Sequence, residues 1–340
     1  MRRDKTPAFR DSHGELVPGS VAEARWLRLG GLDQWVMIRG ENITNPALIL
    51  LHGGPGMSET GMFRGFNAEL EKSYTVVYWD QRGAGKSFDP DTPKSSMTVE
   101  QFIADLDQLI DYVRNRLGKQ KVTLLGHSWG SQLGCLYAAR FPNKIAVYVG
   151  CAQIGDAARG EALSYAIALD TARRARNRKA ERELLAIGPP PYDGKSLWTE
   201  RVWLNRLEGA MKPKALWKLG RVLLADKESS ILDAFITFRA LRWTLDAMWR
   251  EVSTLNLLER VPALQMPTFF LLGRRDHWVP AEASIAYIDA LIAPTKQVIW
   301  FDKSSHEMFV DEPEKFNATM LDLVLPVAKA CDTSCRSDRP

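Results

Sequence analysis

The sequence predicts an α/β fold in which a mostly parallel central sheet is flanked by helices and a helical cap is inserted late in the chain. Three observations carry that prediction. Short apolar runs of strand length recur at 47–52, 74–80, 121–127, 144–151, 268–273 and 296–301. Segments with helical spacing alternate with them, the pattern of a parallel sheet with right-handed crossovers. Between about 153 and 262 the alternation stops, and the chain becomes charged, helical and Trp-rich.

Each element has its own signal. Residues 1–20 form a polar arm with Pro7, Pro18 and two glycines. The runs 24–29 and 33–40, joined through Gly30-Gly31, predict a β-hairpin. ALILLH (47–52), YTVVYWD (74–80) and KVTLLGH (121–127) suit buried parallel strands. Between the last two, Val99, Phe102, Ile103, Leu106, Leu109, Ile110, Val113 and Leu117 fall at helical spacing, with Gly118 placed to cap the helix. A helix after Ser128 stops before Pro142, and KIAVYVGC (144–151) follows as a strand. After the cap come TFFLLG (268–273), a helix over 281–293, KQVIWF (296–301) and a closing helix near 313–330. The expected organisation is an arm at 1–20, a first core part at 21–152, a cap at 153–262, a second core part at 263–330 and a tail at 331–340.

Composition narrows the class. With 340 residues, 45% hydrophobic and 25% charged, the chain has the make-up of an ordinary globular protein. No run approaches the ~18 apolar residues of a membrane helix, and the first residues lack the apolar stretch of a secretory signal. The four cysteines, two in apolar segments and two in the polar tail, make no disulfide framework. A cytoplasmic location is expected. The net charge of +4 has an address: residues 151–262 hold 19 Lys+Arg against 14 Asp+Glu, and the remainder 26 against 27.

Chemistry concentrates in KVTLLGHSWGSQLG. Gly126-His127-Ser128-Trp129-Gly130 follows a strand and opens a helix, the context of a nucleophile elbow. The turn strains the serine backbone, and glycine at 126 and 130 removes side chains that would collide. A serine nucleophile needs a base, and the base an orienting carboxylate. Of the five histidines, His13 lies in the arm, His52 ends a strand, His127 belongs to the elbow and His277 adjoins Asp276. His306 alone can arrive from a separate loop, so it is the expected base. Asp276, just past a strand end, is the expected carboxylate, ahead of Asp302 and then Asp311. The order Ser128, Asp276, His306 is the one this arrangement requires. The expected oxyanion donors are the amide of Trp129 and one from His52-Gly53-Gly54-Pro55-Gly56, with Gly54 favoured and Gly53 the near alternative.

His52-Gly-Gly-Pro-Gly56, Asp80-Gln-Arg-Gly-Ala-Gly-Lys-Ser87 and Gly126-His-Ser-Trp-Gly-Ser131 together resemble the proline iminopeptidase branch of the α/β-hydrolase superfamily. The likeness is strong over 21–150 and continues in pattern over 263–325. It implies an α/β-hydrolase core, a helical cap, and neither metal nor other cofactor. Members of that branch carry cap glutamates that hold the substrate's free α-amino group, one usually in a Trp-Glu setting. This cap has no Trp-Glu dipeptide, and Glu200 and Glu208 are the nearest offers.

Other features have plainer explanations. Arg82-Gly-Ala-Gly-Lys-Ser87 lacks the first glycine of a phosphate-binding loop, that position being Asp80, and Arg82 is expected to brace loops instead. The run from Arg173 to Lys179 is followed at once by Glu181 and Glu183 and reads as a solvated helix face. Neither nucleic acid nor membrane is an expected partner. Of the cap residues Trp198, Trp203, Trp217, Trp243 and Trp249, one or two are expected to roof the pocket, with Trp198, Trp203 and Trp243 the named candidates beside Gly53. The resulting expectation is a serine esterase acting on a bulky or cyclic ester through an acyl-serine. A prolyl aminopeptidase or related amidase acting on a short peptide is the alternative, and a non-catalytic binding protein on the same scaffold stands third.

Overall fold

A computed structural model describes residues 6–208 and 231–334. Its centre is an eight-stranded sheet in the order β1-β2-β4-β3-β5-β6-β7-β8. β1 (Val21–Leu29) and β2 (Leu32–Gly40) form the expected hairpin, and β2 runs antiparallel to β4 (Thr75–Trp79). Every later pairing is parallel, through β3 (Ala47–Leu51), β5 (Val122–His127), β6 (Ile145–Cys151), β7 (Thr268–Gly273) and β8 (Lys296–Phe301).

Alternation along the strands divides the core into two. Ile49, Leu51, Val77, Val122, Leu124 and Phe270 face one side with α2 (Val99–Leu117) and α3 (Trp129–Arg140). Leu48, Leu50, Val76, Leu125 and Val149 face the other, with α1 (Thr60–Asn67) and the closing segment that begins at Pro313. Local chemistry sets the helix ends. Thr98 caps α2 by accepting from the Gln101 amide at 3.2 Å, and Gly118 ends it in the left-handed conformation at φ +64°.

Between β6 and β7 lie α4 (Ala157–Arg174), α5 (Arg178–Ile187), α6 (Gly194–Glu208) and α7 (Ile231–Val252). Asp156 caps α4 through the Arg159 amide, and Asn177 caps α5 through Ala180. Ala168, Ala172, Leu184, Trp203 and Leu204 make a small core among α4, α5 and α6. The basic run spans the exposed end of α4 and the start of α5, where Arg173 pairs with Glu181 and Arg174 with Asp170.

Arg82 braces as expected. Its guanidinium is 1% exposed and reaches Asp105 at 2.8 and 3.0 Å and the Gly30 carbonyl at 2.8 Å. It thereby ties the β1–β2 turn to α2 and to the loop after β4. Lys86, in the segment that resembles a phosphate-binding loop, lies over the Trp35 ring at 4.0 Å.

Candidate active site

Ser128 sits at the sharp corner between β5 and α3 with φ 52° and ψ −119°. The flanking glycines do what the sequence requires of them. A Cβ on Gly126 would lie 2.3 Å from the Gly130 carbonyl oxygen, and one on Gly130 would lie 2.0 Å from that of Leu51. No side chain fits at either position. The corner is pinned by the Ser128 amide on the Cys151 carbonyl at 3.0 Å and by Ser131 Oγ donating to the Ser128 carbonyl at 2.6 Å.

His306 arrives on the loop after β8, and its Nδ1 lies 2.9 Å from Asp276 Oδ2. The second oxygen of Asp276 accepts the amides of Trp278 at 3.0 Å and Val279 at 2.9 Å. The carboxylate is therefore fixed, and Nε2 remains the ring nitrogen able to take a proton. The two rival carboxylates serve elsewhere. Asp302 is exposed and pairs with Arg274, while Asp311 shapes the base loop by accepting from Ser305 N at 2.8 Å and Oγ at 2.7 Å.

Ser128 and His306 line a single cavity of about 380 Å³. Gly53, Gly54 and Trp129 border it too. Gly54 holds φ +113°, and a Cβ there would come within 2.6 Å of the Gly56 nitrogen. The Gly53 amide is already engaged, donating to Glu59 Oε1 at 3.0 Å, which removes the near alternative for an oxyanion donor. The Trp129 indole is anchored on Gln81 Oε1 at 3.0 Å. Its backbone amide, at the first turn of α3, lies where the helix dipole favours negative charge.

The cavity roof corrects the tryptophan expectations. Trp198 lines it, as does Trp249, so two of the five named tryptophans are there. Trp203 is buried among α4, α5 and α6 and donates to Glu183. Trp243 packs edge-on against Phe88 at 5.7 Å, outside the lining. Trp217 and the side chain of Glu208 lie outside the described residues.

Sequence reasoning missed an acidic cluster on the cavity wall. Glu161 of α4 takes Arg201 Nη2 at 2.5 Å through Oε1, while its Oε2 is buried without a partner among the described residues. Glu200 is also bonded to Arg201 and lies 2.7 Å from Ser164 Oγ. Burial, only partly offset by Arg201 and reinforced by Glu200, pushes the Glu161 carboxyl up to about 7. Arg201 lies over Trp278 at 5.7 Å, and Trp278 lies 5.2 Å from the His306 ring, so one contact chain joins the cluster to His306. Glu307, next to His306, also borders the cavity, and burial raises its carboxyl as well. A signal for Glu161 existed in its position one turn inside a capped helix, but its pairing with Glu200 comes only from α4 packing on α6.

The family model described as the alpha/beta hydrolase fold matches residues 46–189. A Bacillus subtilis (strain 168) protein named "Probable aminopeptidase YbaC" is 30% identical over 305 residues, covering 88% of this chain and 96% of that one. The chain belongs to the α/β hydrolases, in their proline iminopeptidase-like branch. A proline iminopeptidase of Lactobacillus delbrueckii subsp. lactis is 34% identical to the hydrolase over 122 residues, covering 35% of this chain and 40% of that one. Among solved structures, a proline iminopeptidase-related protein of Thermus thermophilus superposes with a TM-score of 0.61 at 20% identity, over 90% of the hydrolase and 99% of that chain. A thermophilic esterase of Thermogutta terrifontis gives 0.58 at 19%, over 90% and 99%. Likeness at that identity concerns the fold alone. The relatives' names are those of peptidases, so they favour the alternative drawn from the sequence over the esterase expectation.

Proposed function

We propose that this hydrolase is an aminopeptidase, cleaving the bond after a free N-terminal residue, with N-terminal proline the first substrate to test. One observation carries the reading: the buried Oε2 of Glu161 on the cavity wall, which has no partner among the described residues. A buried acceptor without a donor costs about 1–3 kcal/mol, and a substrate ammonium supplies the missing donor and a compensating charge. Once Glu161 is ionised, above pH about 7, two carboxylates against one guanidinium leave the Glu161–Glu200–Arg201 cluster net negative, which favours a cation. Glu200, a sequence candidate for this role, then acts behind Glu161 by holding Arg201.

The chemistry proceeds by acyl transfer. His306, oriented by Asp276, takes the Ser128 proton as Oγ attacks the carbonyl carbon. The amides of Trp129 and Gly54 stabilise the oxyanion. His306 returns the proton to the leaving amine, and water activated by His306 hydrolyses the acyl-serine. In this reading residues 153–262 act as the cap that closes the substrate's amino end inside the cavity.

A second reading, the ester hydrolase, is favoured by the apolar lining from Trp198, Phe238, Leu241, Leu245 and Trp249. Proline p-nitroanilide, other aminoacyl p-nitroanilides and p-nitrophenyl esters, assayed side by side, separate the two. The aminopeptidase reading expects anilide turnover that N-acetylation of the substrate abolishes. Ester turnover without any anilide turnover would overturn it.

A further inference from the structure

His127 and Glu59 are not used by the chemistry above, yet they are buried beside it, at 3% and 2% exposure. His127 Nδ1 lies 2.7 Å from Glu59 Oε1, and its Nε2 lies 3.0 Å from the carbonyl oxygen of His306. Both partners are acceptors. A neutral imidazole has a single N–H and can satisfy only one of them, whereas the imidazolium satisfies both. The same Glu59 oxygen accepts the Gly53 amide of the oxyanion loop. One carboxylate and one ring therefore join the three loops that carry the oxyanion donors, the nucleophile and the base.

We infer that Glu59 holds His127 as a buried imidazolium, and that this charged pair is a positioning device fixing the His306 loop against the nucleophile elbow. The inference rests on Ser128 and His306 being the nucleophile and base. The groups facing His127 are Glu59 from the loop after β3, His52 at the end of that strand, and His306 and Glu307 from the loop after β8. Phe309 closes the remaining side with its ring 5.1 Å away. Burial by itself lowers the affinity of His127 for its second proton. Burial is the largest single influence, but the charge and hydrogen bond of Glu59, with Glu307 and the His306 carbonyl, together outweigh it, and His127 is raised to about 9. Below that pH both hydrogen bonds stand. As pH rises through it the ring loses one proton, one bond is lost, and the His306 loop loosens.

Glu59→Gln separates this from a merely structural role. Its amide nitrogen can donate to Nδ1 of a neutral His127, whose Nε2–H then still reaches the His306 carbonyl, so no second proton is needed, at the cost of the acceptor that Oε1 gives the Gly53 amide. The experiment follows kcat and KM from pH 6 to 10 for the wild type, Glu59→Gln and Glu59→Ala, on a p-nitrophenyl ester and on proline p-nitroanilide. In parallel, the ring nitrogens of His127 are followed by NMR in the full-length protein. The wild type is expected to carry protons on both His127 nitrogens at pH 7 and to lose kcat near pH 9. Glu59→Gln is expected to keep kcat at pH 7 within about tenfold while losing the alkaline limb. Glu59→Ala is expected to lose about 10²-fold in kcat with KM little changed, the scale of a misplaced reacting group. A neutral His127 at pH 7, or the same alkaline limb in Glu59→Gln as in the wild type, overturns the inference. Anilide inactivity overturns only the aminopeptidase reading, because the ester profile and the NMR signals read the pair without it.

Discussion

Substituting Glu161 by Gln tests the amino-group site most directly. The isostere keeps the shape of the cavity wall and a neutral acceptor, but removes the negative charge beside Arg201. A hydrogen bond to a charged partner contributes about 1.5–3 kcal/mol, and tenfold in affinity corresponds to about 1.4 kcal/mol. Because the amide still accepts, the loss falls at the low end, roughly 10–30-fold in kcat/KM for a substrate with a free α-amino group. Most of it is expected in KM. An ester without an amine is expected to change little. The pH dependence has a definite sign. Glu161 is raised to about 7, so its carboxylate forms as pH increases through that value. From pH 6 to pH 8 the ionised fraction rises roughly tenfold, while a peptide α-ammonium of pKa ~8 falls to about half. The kcat/KM of the anilide relative to the ester is thus expected to rise about fivefold over that range in the wild type. Taking the ratio cancels the pH effects that the two substrates share. In Glu161→Gln the ammonium alone titrates, so the ratio is expected to fall about twofold. Stopped assays at saturating and limiting substrate supply both constants. An anilide-to-ester ratio with the same rise in Glu161→Gln as in the wild type would refute the assignment.

Other perturbations follow from the same geometry. Ser128→Ala is expected to lower turnover by roughly 10⁴–10⁶-fold with an unchanged circular dichroism spectrum, and activity that persists would exclude Ser128 as the nucleophile. Gly130→Ala must place a Cβ 2.0 Å from the Leu51 carbonyl oxygen, so a loss of about 3 kcal/mol or outright misfolding is expected in urea titration. Arg82→Ala leaves the buried Asp105 carboxylate uncompensated and is expected to cost about 3–5 kcal/mol. Arg274→Ala, which breaks an exposed pair with Asp302, is expected to leave the midpoint of the same titration almost unchanged.

The sheet and the elbow were legible because their signals are local. Apolar runs of strand length, a Thr98 cap, a Gly118 stop and paired glycines around Ser128 each act within a few residues. His306 was legible for another reason: scarcity left one histidine able to approach from a separate loop. What lines the cavity was not legible, since it depends on how distant helices pack. Trp243 and Trp249 show this within one helix. Six residues at 3.6 per turn put them about 120° apart around α7. One ring therefore packs on Phe88 while the other reaches the cavity. Glu59 was hidden similarly, a single acid in the loop after the His52 motif whose partners lie 68 residues away at His127 and, nearer, at Gly53.

Charge gives the sharpest separation between what a sequence totals and what a site contains. Residues 151–262 carry a net basic excess, yet the cavity beside them is bordered by Glu59, Asp156, Glu161 and Glu307, with Arg201 and the His127 ring that pairs with Glu59 as counter-charges in the lining. Two of the basic residues, Arg173 and Arg174, sit at the exposed end of α4 in exposed ion pairs, where water and salt screen them. The carboxylates lie in a low-dielectric wall, where each charge acts at greater strength on whatever enters. Sign at the site is therefore set by a few buried groups rather than by the segment's total. A basic insertion can select a cationic substrate end for that reason, provided its cations face water and its acids face the serine.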